Sequence, residues 1–429
     1  MKKIFTITLL TFCFSIFVKA QSPQFGIKFG GFVREDIYFD SRQVEQLREG
    51  MFLYYPLNAN LDKNGNDINA KSSLNMLAIG ARLSGAITGP DAFGAKTSGL
   101  LEGEFFGASN ANINTFRLRH AYLKLNWAKT ELLFGQTWHA LFTEDCIPMT
   151  LSFNTGSPFQ PFNRSPQIRL KHKWNNFTFI VSANTQRDFS STGPAGISSA
   201  YLANSILPEF NAGVIFSKHV CDSAGVFSYG VIGEYKQLTP RLLTKDTIAT
   251  SEKVESAAVS SFIKFETKKW GIKLKAVYGQ NLYDQQMLGG YAIKYYGGNI
   301  PANADYEYTP TTVTSIWTDI FVKQGNITFG LFGGYSKNLG SAKNIQDWDN
   351  SSNYYSRGYD IDNIYRLAPR VSYDYNKLKL AIECEYTAAT YGNQRNSLGV
   401  IQDKSIEFPA AKLTEVANTR ILGVIQYNF

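Results

Sequence analysis

The sequence predicts an all-β fold, a transmembrane antiparallel β-barrel of sixteen strands with long extracellular loops and short periplasmic turns. Three observations predict it. The chain ends on ANTRILGVIQYNF (417–429), where Phe429, Tyr427, Ile425, Gly423, Ile421 and Thr419 share one face. That period of two is a strand signal, and a soluble domain rarely ends on such an unpaired apolar edge. Segments of about ten residues with the same alternation recur along the chain, the length of a tilted strand that crosses a membrane. Aromatic residues make up 14% of the chain against 18% charged, as expected where girdles of Tyr, Phe and Trp mark both membrane interfaces.

The first twenty residues read as a secretory signal peptide. Lys2 and Lys3 precede an uncharged run over 4–18, and Val18-Lys19-Ala20 stands before Gln21, the pattern of a charged start, a short apolar stretch and a small residue at the cut. Bulky Phe12 before Cys13 argues against lipid attachment. Residues 21–429 are then one barrel domain, and no later stretch is long and apolar enough for a spanning helix. Loss of Lys2, Lys3 and Lys19 lowers the net charge of +8 to about +5, too mild and scattered for a nucleic-acid partner. Beyond the signal peptide stand Cys146, Cys221 and Cys384, an odd set without C-x-x-C spacing. It gives neither a disulfide framework nor a metal site, and no cofactor is expected.

The first strand covers roughly 24–40, with a bend or bulge at Gly30-Gly31. After a polar stretch over 41–73, the second strand sets Leu77, Ile79, Ala81, Leu83, Gly85 and Ile87 against Arg82, Ser84 and Thr88. The third sets Gly99, Leu101, Gly103 and Phe105 against Glu102 and Glu104, and the fourth runs over 116–127. Short turns fall at Gly89-Pro90-Asp91, Lys129-Thr130, Asn175-Asn176, Asp222-Ser223, Lys268-Lys269, Gly325-Asn326 and Asp374-Tyr375. Eight longer links separate them, near 41–73, 107–113, 140–165, 186–207, 239–253, 282–311, 336–362 and 387–414. Seven turns and eight loops divide sixteen strands, with eighteen the competing count. At either size the barrel encloses water rather than a packed core.

The chemistry concentrates between 116 and 174. Arg169, Lys171 and Lys173 alternate with Ile168, Leu170, His172 and Trp174. A cation facing hydrocarbon costs about 2–4 kcal/mol near the midplane, so these three should face the lumen. The fourth strand opens with Arg117 and Arg119, which share parity with Leu123, Leu125 and Trp127. Both sets are satisfied only if the phase slips near His120-Ala121, which predicts a bulge there. The loop over 140–165 has three prolines and Arg164. As the third extracellular loop it is the candidate to fold inward and narrow the pore. Arg117, Arg119, Arg164, Arg169, Lys171 and Lys173 would then form a cationic constriction, with Glu102, Glu104, Glu144 and Asp145 as opposing charge. Lys273, Lys275, Arg366, Arg370 and the pair Glu383 and Glu385 are secondary lumen candidates. A ring of cations in a narrow channel favours small anionic solutes; the bland alternative is that these residues only solvate a lumen wall.

The runs FRLRHAYLKLNW, LLFGQTWHALF and SPFQPFNRSPQIRL resemble Bacteroidetes outer-membrane porins of the DcaP-like and phosphate-selective O/P group. The terminal Tyr-x-Phe likewise resembles the assembly signal of outer-membrane barrels. The resemblance implies a trimeric, passive diffusion channel in the Gram-negative outer membrane, surrounded by its lipid, with the family's arginine-rich constriction at Arg117, Arg119, Arg164 and Arg169. It leaves open whether the preferred anions are carboxylates or phosphate. An enzyme is not expected: His120, His139, His172 and His219 lie in no nucleophile motif and at no metal-ligand spacing. The other alternative is a barrel with a closed lumen that serves as an adhesin or scaffold.

Overall fold

The computed structural model describes residues 25–429 except 108, 221–224, 245–246, 296 and 299–305. The expected signal peptide and the expected turn at Asp222-Ser223 therefore lie outside the described residues. Sixteen strands form the barrel wall. They are β1 (Gly26–Asp40), β2 in two pieces (Ser73–Leu77 and Arg82–Thr88), β3 (Lys96–Glu104), β4 (Arg117–Asn126) and β5 (Thr130–Trp138). Next come β6 (Arg164–Trp174), β7 (Phe177–Asn184), β8 (Glu209–Val220), β9 (Gly225–Leu238), β10 (Val254–Thr267) and β11 (Trp270–Gln280). The last five are β12 (Tyr308–Gln324), β13 (Ile327–Ser341), β14 (Ile361–Tyr375), β15 (Leu378–Gly392) and β16 (Leu413–Asn428). Each pairs antiparallel with its sequence neighbours, and β16 returns to β1 in register from Phe32↔Asn428 to Asp40↔Arg420. That closure leaves no open edge, the condition for a sheet to cross lipid.

Alternation sorts the wall into two faces. On β16, Ile421, Ile425, Tyr427 and Phe429 are exposed, whereas Asn418, Arg420, Leu422 and Val424 are buried toward the inside. On β11, Ile272 and Leu274 face out and Lys273 and Lys275 face in. Trp174, Trp270, Tyr375 and Tyr427 point outward beside the short turns, where an interfacial girdle belongs.

Four local expectations need correction. The turn read at Asp374-Tyr375 falls at Asn376-Lys377, because Asn376 takes the left-handed conformation (φ 54°) that the turn requires. β2 is not continuous: a turn closed by the Ala81 N–H on the Ala78 carbonyl interrupts it. The phase slips there, so Leu74 and Met76 face out and Ile79 is buried inside. The pairing of β1 with β2 runs unbroken through Gly30-Gly31, so no bulge lies there. Gly31 serves close approach instead: a Cβ on it would stand 2.2 Å from the Arg82 carbonyl oxygen and 2.8 Å from the Phe429 ring. Arg164, read as a loop residue, is the first residue of β6. The bulge expected near His120 is present, since Glu102 pairs with His120 and the next residue, Gly103, with Leu118. Arg119 and His120 are both buried inside, while Leu118 and Leu123 are exposed outside.

The lumen is not empty. A hairpin of Val44–Leu47 and Phe52–Pro56 from the first long loop lies inside. It joins Phe142, Phe159, Phe162, Trp317 and Phe332 in one buried cluster. Gly31→Val would place carbon against the closing strand, an overpacking cost of about 1–3 kcal/mol. The expected outcome is a smaller closed-barrel fraction, read from the mobility difference between unheated and boiled protein on a denaturing gel.

Candidate functional site

The site is made by the third long loop, 139–163, and the wall it faces. Strand-borne groups seat this loop by taking its backbone as partner. Lys275 donates to the carbonyls of Leu141 (2.6 Å) and Phe142 (2.9 Å), and Lys273 donates to that of Ile147 (3.1 Å). Asp319 accepts from the Met149 N–H, and Glu383 from the N–H groups of Leu151 and Ser152. Arg366 reaches the Ser157 carbonyl and, from the inner hairpin, those of Leu53 and Tyr54. Arg370 holds Asp319 at 2.7 Å. Buried charges of this kind are tolerated only when each finds a partner. The secondary lumen candidates Lys273, Lys275, Arg366 and Arg370 thus do face inward, but they fasten the loop rather than line open water. Glu385 lies beside Arg366 at 3.5 Å.

The loop is fastened along β11, β12, β14 and β15, and opposite it remains a cavity of about 300 Å³ against β1, β2, β4 and β5. Arg34, Arg82 and Arg119 face it from the strands, and Phe142, Leu151 and Phe153 from the loop. Arg34 also spans the gap, donating to the Leu151 carbonyl at 2.7 Å. The guanidiniums continue upward in a chain. Arg119 meets Glu102 at 2.8 Å and Glu104 at 2.7 Å, and Arg82 meets Glu104 at 3.2 Å. Arg117 meets Glu104 and Asp188, each at 2.7 Å, and Arg164 meets Asp188 at 2.7 Å. The Arg164 guanidinium lies 4.6 Å from the Trp138 ring centre, and Trp138 stacks on Phe142 at 3.8 Å. Burial works against ionisation of Asp188, yet Arg117 and Arg164 hold its carboxyl below the usual range. Outward of this chain lies a vestibule of about 640 Å³, bordered by Arg48, Tyr54, Arg187, Asp188, Phe189 and Arg357.

Of the six expected constriction residues, Arg119 lines the cavity, and Arg117 and Arg164 stand at the extracellular ends of β4 and β6. Arg169 is buried lower on β6, 3.6 Å from Glu144 and 3.8 Å from Glu131. Lys171 and Lys173 keep the inward parity but lie nearer the periplasm. Lys173 is exposed next to the Asn175-Asn176 turn, because its register partner is Thr178. Asp145 is exposed as well. Sequence reasoning missed Arg34, Arg48 and Asp188, and it placed Arg82 on the polar face of its strand without assigning it to the constriction. Arg34 shares the inward face with Phe32 and Asp36 in a readable strand, whereas Arg48 and Asp188 sit in loops that carry no period.

Three of the four histidines, His120, His139 and His172, have local side-chain partners. His120 meets Thr137 and His172 meets Thr130 through Nδ1. His139, at the root of the loop, is buried with Glu209 and Glu234 at spacings that could surround a metal ion. Its Nδ1 accepts the Leu141 N–H, however, which leaves Nε2 protonated and donating to Glu209. A metal-binding imidazole has the reverse arrangement, with the distal nitrogen donating.

A closed ring of sixteen antiparallel strands, apolar outside and charged inside, with one loop folded into its bore, is the architecture of a multi-pass outer-membrane barrel. The fold is that of the outer-membrane porins. The outer membrane channel DcaP of Acinetobacter baumannii superposes with a TM-score of 0.65 at 17% identity, over 95% of this chain and 99% of that one. The anion-selective porin from Comamonas acidovorans gives 0.53 at 10%, over 94% and 100%. OmpT of Vibrio cholerae in its trimer form gives 0.52 at 10%, over 94% and 99%. At these identities the likeness is one of fold. No protein-family model and no curated protein matches the sequence.

The seated loop of this porin fold can be read through Cys146, which it carries. Burial pushes the Cys146 thiol up to about 11, against the pull of the Lys275 and Lys273 ammonium groups. In a background without Cys221 and Cys384, Cys146 should resist maleimide in the folded barrel and react once it is unfolded. Lys275→Met strands two buried carbonyls at a cost of about 1–3 kcal/mol, and should make Cys146 react without unfolding. Equal labelling of both proteins would contradict this seating.

Proposed function

We propose that the chain is an outer-membrane porin, a passive diffusion channel for small hydrophilic solutes that prefers anions such as carboxylates or phosphate. The observation that carries this reading is the one-sided cavity. Three guanidiniums, Arg34, Arg82 and Arg119, face an aromatic and aliphatic loop surface across about 300 Å³. The three are paired with Asp36, Glu102 and Glu104. With Arg117, Arg164 and Asp188 the cluster holds one guanidinium more than it holds carboxylates. A positive surplus in a narrow lumen lowers the barrier for anions and raises it for cations. Likeness of fold to an anion-selective porin supports the reading but does not fix the solute. Affinity to the DcaP-like and phosphate-selective O/P group belongs to the same proposal.

The working form in this reading is a homotrimer embedded in outer-membrane lipid. Outside the wall of β1 to β4, Ile27, Phe29, Leu83, Leu101 and Phe116 surround an apolar hollow of about 420 Å³ that Phe429 borders. Two of the strands there are among the shortest in the barrel, β3 with nine residues and β4 with ten against seventeen in β12. A low wall with a hollow outer face suits contact with a second copy.

Single-channel recording in a planar bilayer tests the function. In a potassium chloride gradient the reversal potential should fall on the anion side, and Arg82→Gln should move it toward zero while the barrel still closes. A cation preference, or selectivity indifferent to Arg82→Gln, would contradict the basic eyelet. An absence of conductance would favour the closed-lumen scaffold.

A further inference from the structure

The carboxylate of Asp188 stands where an incoming anion would stand. Its Oδ1 lies 2.7 Å from Arg117 and its Oδ2 2.7 Å from Arg164, so one carboxylate bridges guanidiniums carried by two strands. Arg164 is fully buried, and none of its three guanidinium nitrogens makes a hydrogen bond to the wall. Its surroundings are the faces of Trp138 and Phe162 together with Asp188. A desolvated guanidinium set against aromatic rings, with no wall carboxylate of its own, is prepared for an oxyanion.

The other two carboxylates paired with these arginines differ from Asp188. Glu102 and Glu104 are carried by β3 and are part of the barrel wall. Asp188 comes from the loop over 185–208 and borders the vestibule. The residue after it is pinned, since the Phe189 N–H donates to Asn163 Oδ1 and Asn163 Nδ2 donates to the Phe189 carbonyl. Rotation of one side chain, without movement of the loop, is therefore enough to vacate the position.

We propose that Asp188 is a tethered carboxylate occupying the channel's own oxyanion subsite, formed by Arg117 and Arg164, and that permeating carboxylates pass by exchange with it. The inference rests on the anion-channel reading above and names the residue that sets its selectivity. Arg82, Arg117, Arg119 and Arg164 stand against Glu102, Glu104 and Asp188. An uncharged residue at 188 raises the surplus in this cluster from one positive charge to two. A bound carboxylate would then be held longer, whereas conduction requires binding weak enough to release. Asp188 keeps the subsite attractive without letting it trap.

The test uses the full-length folded protein in planar bilayers, with Asp188→Asn, Asp188→Glu and wild type compared in a potassium chloride gradient and then in symmetrical chloride with added acetate. Asp188→Asn should move the reversal potential further to the anion side, and acetate should block its chloride current at several-fold lower concentration than in wild type. Asp188→Glu should behave as wild type. Asp188→Ser, which also leaves room for a bound anion, reads the same exchange if Asp188→Asn does not fold. Neutral variants with wild-type selectivity and wild-type acetate block would overturn the proposal. A wild-type channel without anion preference would instead overturn the reading it rests on, so the two failures are distinguishable.

Discussion

Backbone pairing between β1 and β16 is the contact from which the other features follow. In hydrocarbon no water can satisfy a free N–H or C=O, so a sheet survives there only as a closed ring. Nine residue pairs join the two strands, from Phe32↔Asn428 to Asp40↔Arg420. Phe429 then donates its N–H to the Gly31 carbonyl just beyond. Closure divides every strand into a lipid face and a lumen face, and only on the second can charged residues stand. The buried Asp40–Arg420 pair, at 2.6 Å, shows the two sides meeting across the seam itself.

Charges inside the ring do two kinds of work on opposite walls. Along β11 to β15 they are matched to a loop, with lysine and arginine on its carbonyls and carboxylates on its N–H groups. That side is a fixed support, and a loss there leaves a polar group stranded. Along β1 to β6 arginines pair with nearby carboxylates of strands and loops, and Arg34, Arg82 and Arg119 turn toward the remaining space. The loop seated on that support, together with the inner hairpin, narrows the bore. In the proposed reading the asymmetry also separates what holds the lumen's shape from what would set a preference among ions.

Much of the wall could be read from the chain because period-two alternation is enforced by lipid. Ile272, Lys273, Leu274 and Lys275 could face only one way each, and the conflict between Arg117 and Leu123 required the slip found at Arg119. Where a residue stands along the bore was less legible. Lys171 and Lys173 share the parity of Arg169, but parity gives the face and not the height. The inward hairpin ending at Pro56 and the carboxylate of Asp188 were not legible at all. Loops carry no period, and their partners, such as Arg366 for Tyr54 or Arg164 for Asp188, are distant in sequence. Arg34 was within reach, since it alternates inward on a strand whose limits were correctly placed.

The central claim is that the closed ring holds a passable, basic opening beside its seated loop. Liposome swelling with solutes of matched size tests it most directly. The account predicts that small carboxylates enter faster than neutral sugars of equal size, and that cations of equal size enter slowest. Equal rates for all three, or no swelling above protein-free vesicles, would contradict it.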